Sequence, residues 1–198
     1  MRKILILSFF IIFSSCSKDF LEQPSLTNLA SENFWKTEQD ALLGIHAIYD
    51  GLQDRIQYSG NLNGFAAAGF PMYDCFGDNV FNATGWLFVG PGNYMLGNVD
   101  PNYQLFATLW ISLYRGIGRA NLAIENISKM PASAISDQRK NQLLAQAYFL
   151  RGLFYSHIAI YFQNAPLILK VQALEESYVA KNTYQEISDQ VVKDLTFA

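Results

Sequence analysis

Cys16 is the residue whose surroundings most directly suggest a chemistry. Arg2 and Lys3 form a positive start, and Ile4 to Phe13 form an apolar run of about ten residues. Phe13-Ser14-Ser15 then places small residues just before the cysteine. This order reads as an export signal ending in a lipidation site, with Cys16 as the acylated N-terminus of the mature chain. The apolar run is too short to span a bilayer, which takes about 17 or more residues. Each buried acyl CH₂ contributes about 0.8 kcal/mol, so several chains hold a protein at a membrane without any spanning helix. An ordinary secretory signal with a chance cysteine is the competing reading. Cys75 is the only other cysteine. With Cys16 acylated it has no partner, so no disulfide framework is expected. Neither His46 nor His157 lies near Cys75 in sequence, which favours a buried, inert thiol over a nucleophile.

A second group of side chains falls in the stretch 57–102. Eight of the 13 glycines occur there, interspersed with Trp86, Phe88, Tyr94 and Tyr103 at its end, and with Asp78, Asn79, Asn82 and Asn93. Aromatic rings can stack on flat or ring-shaped ligands. Trp86 and Tyr94 lead this set because Gly85, Gly90, Gly92 and Gly97 place them on loops. The same aromatics could instead cap a core.

Signals for catalysis are poor. There is no G-x-S-x-G, no H-E-x-x-H and no phosphate-binding loop. Gly90-Pro91-Gly92 is a turn, and Asp74, Asp78 and Asn79 do not match a calcium loop. Glu175 and Glu176 are adjacent in a linker, unlike a glycosidase carboxylate pair. No catalytic residue, cofactor or metal site is expected. Apolar residues make up 51% of the 198 and charged residues 16%, which excludes a disordered chain. Removal of Arg2 and Lys3 leaves 12 basic and 17 acidic residues, a formal −5, so no nucleic-acid partner is expected.

The elements that must position these residues are helical. Residues 1–15 are the signal and 16–30 an extended tether, since Pro24 disfavours helix. Residues 31–198 form the folded part. Ser31 is a candidate N-cap, and Ala41, Ile45, Ile48, Leu52 and Ile56 recur at helical spacing, so helix one runs from about Glu32 or Glu38 to about Arg55. The loop-rich insertion follows, with short strands possible around Leu87 to Val89. Helix two carries the stripe Phe106, Leu109, Leu113, Ile117, Ala120, Ile124 and Ile127, closed by Met130-Pro131.

Ser136 caps helix three, with the stripe Leu143, Ala147, Leu150, Phe154, Ile158 and Tyr161. A second row, Leu144, Tyr148, Tyr155, Ala159 and Phe162, makes it apolar almost all round, so neighbours are expected on several sides. Thr183 caps a fourth helix through Ile187, Val191 and Leu195. Trp110, Tyr114 and Asn121 share a face and read as packing, with Asn121 bonded to a neighbouring backbone. Arg151, within an apolar helix, reads as an ion-pair or cap partner, and Trp35 as core. The fold class is all-α: antiparallel helical hairpins in a tetratricopeptide-like array, with a long loop-rich insertion between the first and second helices. Trp110, Leu113, Ala145, Phe149 and Gly152 match that repeat loosely.

Several phrases, in order, resemble the SusD/RagB-like outer-membrane nutrient-binding lipoproteins. They are Cys16-Ser-Lys-Asp-Phe-Leu-Glu-Gln-Pro, Phe34-Trp35-Lys36-Thr37 with Asp40-Ala41, and Tyr49-Asp50-Gly51-Leu52. Trp110 to Asn121, Ala147 to Pro166, and Thr183 to Ala198 continue the series. The sequence departs at Gln146, where the family usually has Glu, and at Phe162-Gln-Asn-Ala-Pro166, where Phe-Gly-Asp-Val-Pro is usual.

The resemblance implies a non-catalytic surface lipoprotein that binds nutrients, typically glycans, and delivers them to a TonB-dependent transporter barrel. Outer-membrane attachment would run through Cys16, and Lys18-Asp19 suits a surface-export tag. Trp86, Tyr94, Asn93 and Asp78 become the candidate ligand residues, with rings on pyranose faces and polar groups on hydroxyls. A helical scaffold that binds only the transporter is the alternative. Members of the family run longer, so the chain is expected to correspond to their N-terminal helical portion.

Overall fold

The computed structural model describes residues 34–58, 92–93, 98–99 and 104–198. Two compact units are present, Met1–Trp35 and Lys36–Ala198. In the first, the rings of Phe34 and Trp35 meet edge-on at 5.0 Å. The helices described below belong to the second.

Helix α1 spans Glu38–Asp50. Thr37 starts it with a reciprocal cap: the Asp40 amide donates to Thr37 Oγ1 at 3.2 Å, and the Thr37 amide donates to Asp40 Oδ2 at 2.8 Å. Ala41, Ile45 and Ile48 are its buried stripe. The α-helix stops at Asp50 rather than near Arg55. Two 3₁₀ turns, Gly51–Gln53 and Arg55–Gln57, carry the apolar rhythm onward to the buried Ile56. A tighter helix with three residues per turn keeps residues spaced by three or four on roughly one side, so periodicity alone did not mark the change.

Helix α2 spans Gln104–Lys129 and α3 spans Asp137–Phe162. Ser136 caps α3 by accepting from the Arg139 amide. Their contacts run in opposite order along the two chains: Trp110 meets Phe162, Tyr114 meets Tyr155, and Asn121 meets Arg151. The pair is therefore an antiparallel hairpin. Leu109, Leu113, Ile117 and Ala120 on α2 are buried, as are Leu143, Ala147, Leu150, Phe154 and Ile158 on α3.

Helix α4, Tyr184–Phe197, has a second reciprocal cap between Thr183 and Glu186. It packs antiparallel to α3, with Arg151 on Asp194 and Tyr148 on Phe197. Gly152 permits the close approach, since a Cβ there would lie 3.2 Å from Leu195 Cδ2. Helix α1 packs against both α2 and α3.

Two expectations for α3 need adjustment. Tyr161 continues the apolar stripe in sequence but is 37% exposed, and Phe149 and Ile160 also face outward. Leu195 and Phe197 of α4 are about half exposed. With Tyr49 and Phe149, Leu195 lines an open apolar groove of about 510 Å³. A short antiparallel pair, β1 (Gly92–Asn93) and β2 (Asn98–Val99), lies in the insertion, with Gly92 opposite Val99 and Asn93 opposite Asn98. The strand expected around Leu87 to Val89 lies outside the described residues.

Candidate ligand-binding surface

Of the residues singled out from sequence, Cys16, Cys75, Asp78, Trp86 and Tyr94 lie outside the described residues, as do Phe88, Tyr103, Asn79 and Asn82. Asn93 falls on β1, paired with Asn98 across the two-stranded ribbon. The insertion leaves the helices after Tyr58 and rejoins them at Gln104.

The shared face of α2 and α3 is committed to the fold. Its polar groups hold the chain that follows α3, residues 166–169. Tyr114 Oη donates to Pro166 O at 2.6 Å. Tyr155 Oη donates to Ile168 O at 2.8 Å and accepts from the Ile168 amide at 2.6 Å. Asn121 Nδ2 donates to Ile168 O at 2.8 Å, while its Oδ1 accepts from Arg151 Nη1 at 2.9 Å. Burial pushes the phenols of Tyr114 and Tyr155 well above the ordinary tyrosine range, so both remain protonated donors. Asn121 and Arg151 therefore have the packing and ion-pair roles read from the sequence.

An open polar cleft lies between the end of α1 and the middle of α2, with a volume of about 260 Å³. Its walls are Asp50, Gln53 and Asp54 on one side and Ser112, Arg115 and Arg119 on the other. Arg119 Nη1 donates to Ala47 O at 2.8 Å and to Asp50 Oδ2 at 3.1 Å, which satisfies a carbonyl at the end of α1. Asp54 Oδ1 caps the second 3₁₀ turn by accepting from the Ile56 amide at 3.2 Å. Ser112, 4% exposed, accepts from Gln57 Nε2 at 2.8 Å. Sequence reading missed this cleft. The available signal was a polar row, Ser112, Arg115 and Arg119, at helical spacing on an otherwise apolar helix.

Among the described residues, no three His, Cys, Asp or Glu side chains gather as a metal site. No helix among them is long and apolar enough to cross a membrane.

Residues 93–198 match a SusD-like family model, described as starch-binding and associating with the outer membrane. The chain belongs to the SusD-like family. It is 30% identical to SusD-like protein P25 of Formosa agariphila over 197 residues, covering 96% of this chain and 36% of that protein. The chain thus spans about a third of that relative's length.

The helices superpose on a SusD-like carbohydrate-binding protein from Bacteroides fragilis with a TM-score of 0.63 and 23% identity, covering 83% of this chain and 31% of that one. They also superpose on a laminarin-binding SusD-like protein with a TM-score of 0.61 and 20% identity, covering 82% and 33%. The fold is the helical, tetratricopeptide-like fold of SusD-like proteins. The family match begins at Asn93, in β1, and continues through all of α2, α3 and α4.

Proposed function

We propose that this SusD-like chain is a non-catalytic, lipid-anchored outer-membrane protein that binds glycans and passes them to a TonB-dependent transporter barrel. The observation that carries the reading is the match of residues 93–198 to a family described as starch-binding and outer-membrane-associated. The laminarin-binding neighbour of the same fold supports a glycan as the ligand class. The internal commitment of Tyr114, Asn121, Arg151 and Tyr155 supports a division of labour. The helices are the scaffold, and Trp86, Tyr94, Asn93 and Asp78 in the insertion carry the ligand. The lipid anchor is Cys16, and the anchored domain faces the cell exterior.

Calorimetric titration of the soluble form, starting at Ser17, with starch and laminarin oligosaccharides tests the glycan claim. A stacked ring contributes about 0.5–1.5 kcal/mol, so Trp86→Ala and Tyr94→Ala should each weaken binding by about two- to tenfold. No binding by the parent protein, extended across a broad glycan array, would sink the claim and leave a scaffold that contacts only its transporter. Labelled-palmitate incorporation in cells tests the anchor, and it should disappear in Cys16→Ala. Undiminished labelling would refute acylation there. Co-purification of a TonB-dependent barrel with the tagged protein tests the delivery step.

A further inference from the structure

We propose that the cleft between α1 and α2 is a second saccharide subsite, which holds one neutral pyranose ring edge-on by hydrogen bonds and without aromatic stacking. This rests on the glycan-binding reading above.

Charge decides the ligand class first. Two carboxylates, Asp50 and Asp54, face two guanidinium groups, Arg115 and Arg119, so the cleft is balanced and favours neither an anion nor a cation. What it offers is directional polar valence. Arg115 is exposed and has no hydrogen bond or ion pair among the described residues, so its forked donors are available. Asp50 and Asp54 each use one oxygen within the protein and keep the other for an incoming hydroxyl. The Ser112 hydroxyl is buried and already accepts from Gln57 Nε2 at 2.8 Å. A molecule with adjacent groups that both donate and accept suits this set, which is the chemistry of a sugar's vicinal hydroxyls.

The floor supports the same conclusion. Gly51 has an ordinary right-handed conformation, φ −58° and ψ −28°, so the backbone does not require glycine. A Cβ there would meet Phe154 Cζ at 3.5 Å, Gly116 Cα at 3.9 Å and Arg119 Nη1 at 4.0 Å, all tolerable contacts. Packing does not require glycine either. The missing side chain leaves the cleft wider where Gly51 and Gly116 line it. The volume is large enough to admit a single ring.

The test is an amide-shift NMR titration of the soluble full chain with D-glucose and, separately, D-galactose. The Gly51 and Gly116 amides should shift and saturate with at least one hexose. Arg115→Ala and Gly51→Leu should weaken that binding about tenfold or more with helical content unchanged, because each removes a wall or fills the floor. Trp86→Ala should leave it unaltered. Unmoved Gly51 and Gly116 amides with both hexoses would overturn the proposal, as would binding indifferent to Arg115→Ala. Shifts with D-glucuronate alone would overturn the neutral class. Trp86-dependent oligosaccharide binding alongside unmoved cleft amides would remove the subsite and leave the main glycan reading standing.

Discussion

Arg151 of α3 and Asp194 of α4 form a two-pronged ion pair inside the protein. Nε donates to Oδ2 and Nη2 to Oδ1, each at 2.7 Å, with the two side chains 5% and 2% exposed. The guanidinium also donates to Asn121 Oδ1 of α2 and lies 5.0 Å from the Tyr148 ring centroid. Gln190 Nε2 donates to Asp194 Oδ1 at 2.8 Å, which satisfies a further acceptor site. One buried cation thus joins three helices, and the chain after α3 closes over it.

Removing one partner of such a pair costs more than removing both. Asp194→Ala strands a buried guanidinium and should destabilise the fold by about 3–5 kcal/mol in urea denaturation. Arg151→Met combined with Asp194→Leu replaces the charges with apolar bulk and should cost less than either Arg151→Met or Asp194→Ala alone. A double variant as unstable as the sum of the two singles would contradict this account of the pair.

Gly116 and Gly118 sit two residues apart on α2 and should respond oppositely to the same substitution. A Cβ at Gly116 would lie 2.6 Å from Cε2 of Phe154, a ring that is fully buried and cannot retreat. Gly116→Ala should therefore cost about 1–3 kcal/mol through overpacking. A Cβ at Gly118 meets nothing within 4 Å, so Gly118→Ala should gain about 0.5–1 kcal/mol from helix propensity. Thermal melts of the two variants should bracket the parent. Shifts of the same sign would refute the packing asymmetry.

The same contrast shows what a sequence can and cannot reveal here. The stripes of α2 and, up to Ile158, of α3, and the caps Ser136 and Thr183, were legible because apolar spacing and N-cap chemistry are local. The end of α1 was not, because Leu52 and Ile56 keep the rhythm through the 3₁₀ turns. Arg151 read correctly as a structural charge, but its partner lies 43 residues away and only tertiary packing identifies it. Of the cleft, only the polar row Ser112, Arg115 and Arg119 left a local trace, since Asp50 and Asp54 come to face it only when α1 crosses α2. The insertion residues Trp86, Tyr94 and Asp78 lie outside the described residues.

Gln163 ends α3 at φ 57° and ψ −77°, the one described non-glycine residue with positive φ. That region lies near the strained three-residue turn and disfavours any side chain. The resemblance to SusD-like proteins places glycine here, in Phe-Gly-Asp-Val-Pro, which has no such penalty. Gln163→Gly should relieve about 1–2 kcal/mol of strain and give back part of it as unfolded-chain entropy. A small rise in melting temperature is the expected result. A fall would mean that the exposed Gln163 side chain contributes something the backbone geometry does not show.

His157 should make the fold sensitive to mild acid. It is half-buried on α3, with its ring edge-on to Tyr58 at 5.9 Å and to Tyr161 at 6.2 Å. Its Nδ1 is buried without a hydrogen-bond partner. Burial therefore favours the neutral ring and holds its pKa below the ordinary 6.5. As pH falls through about 6.5 the unfolded chain takes up a proton that the folded chain still refuses, so stability declines until the lower folded pKa is passed. The hydrogen-bonded carboxylates of Asp40 and Glu186 are likewise held below their usual range, but that range is itself more acidic, so their losses begin in stronger acid. His157→Phe keeps a flat ring between the two tyrosines and removes the titration. Urea midpoints from about pH 7.5 to about pH 5.5 should fall in the parent and stay nearly level in His157→Phe. An equal fall in both proteins would show that another group sets the acid response.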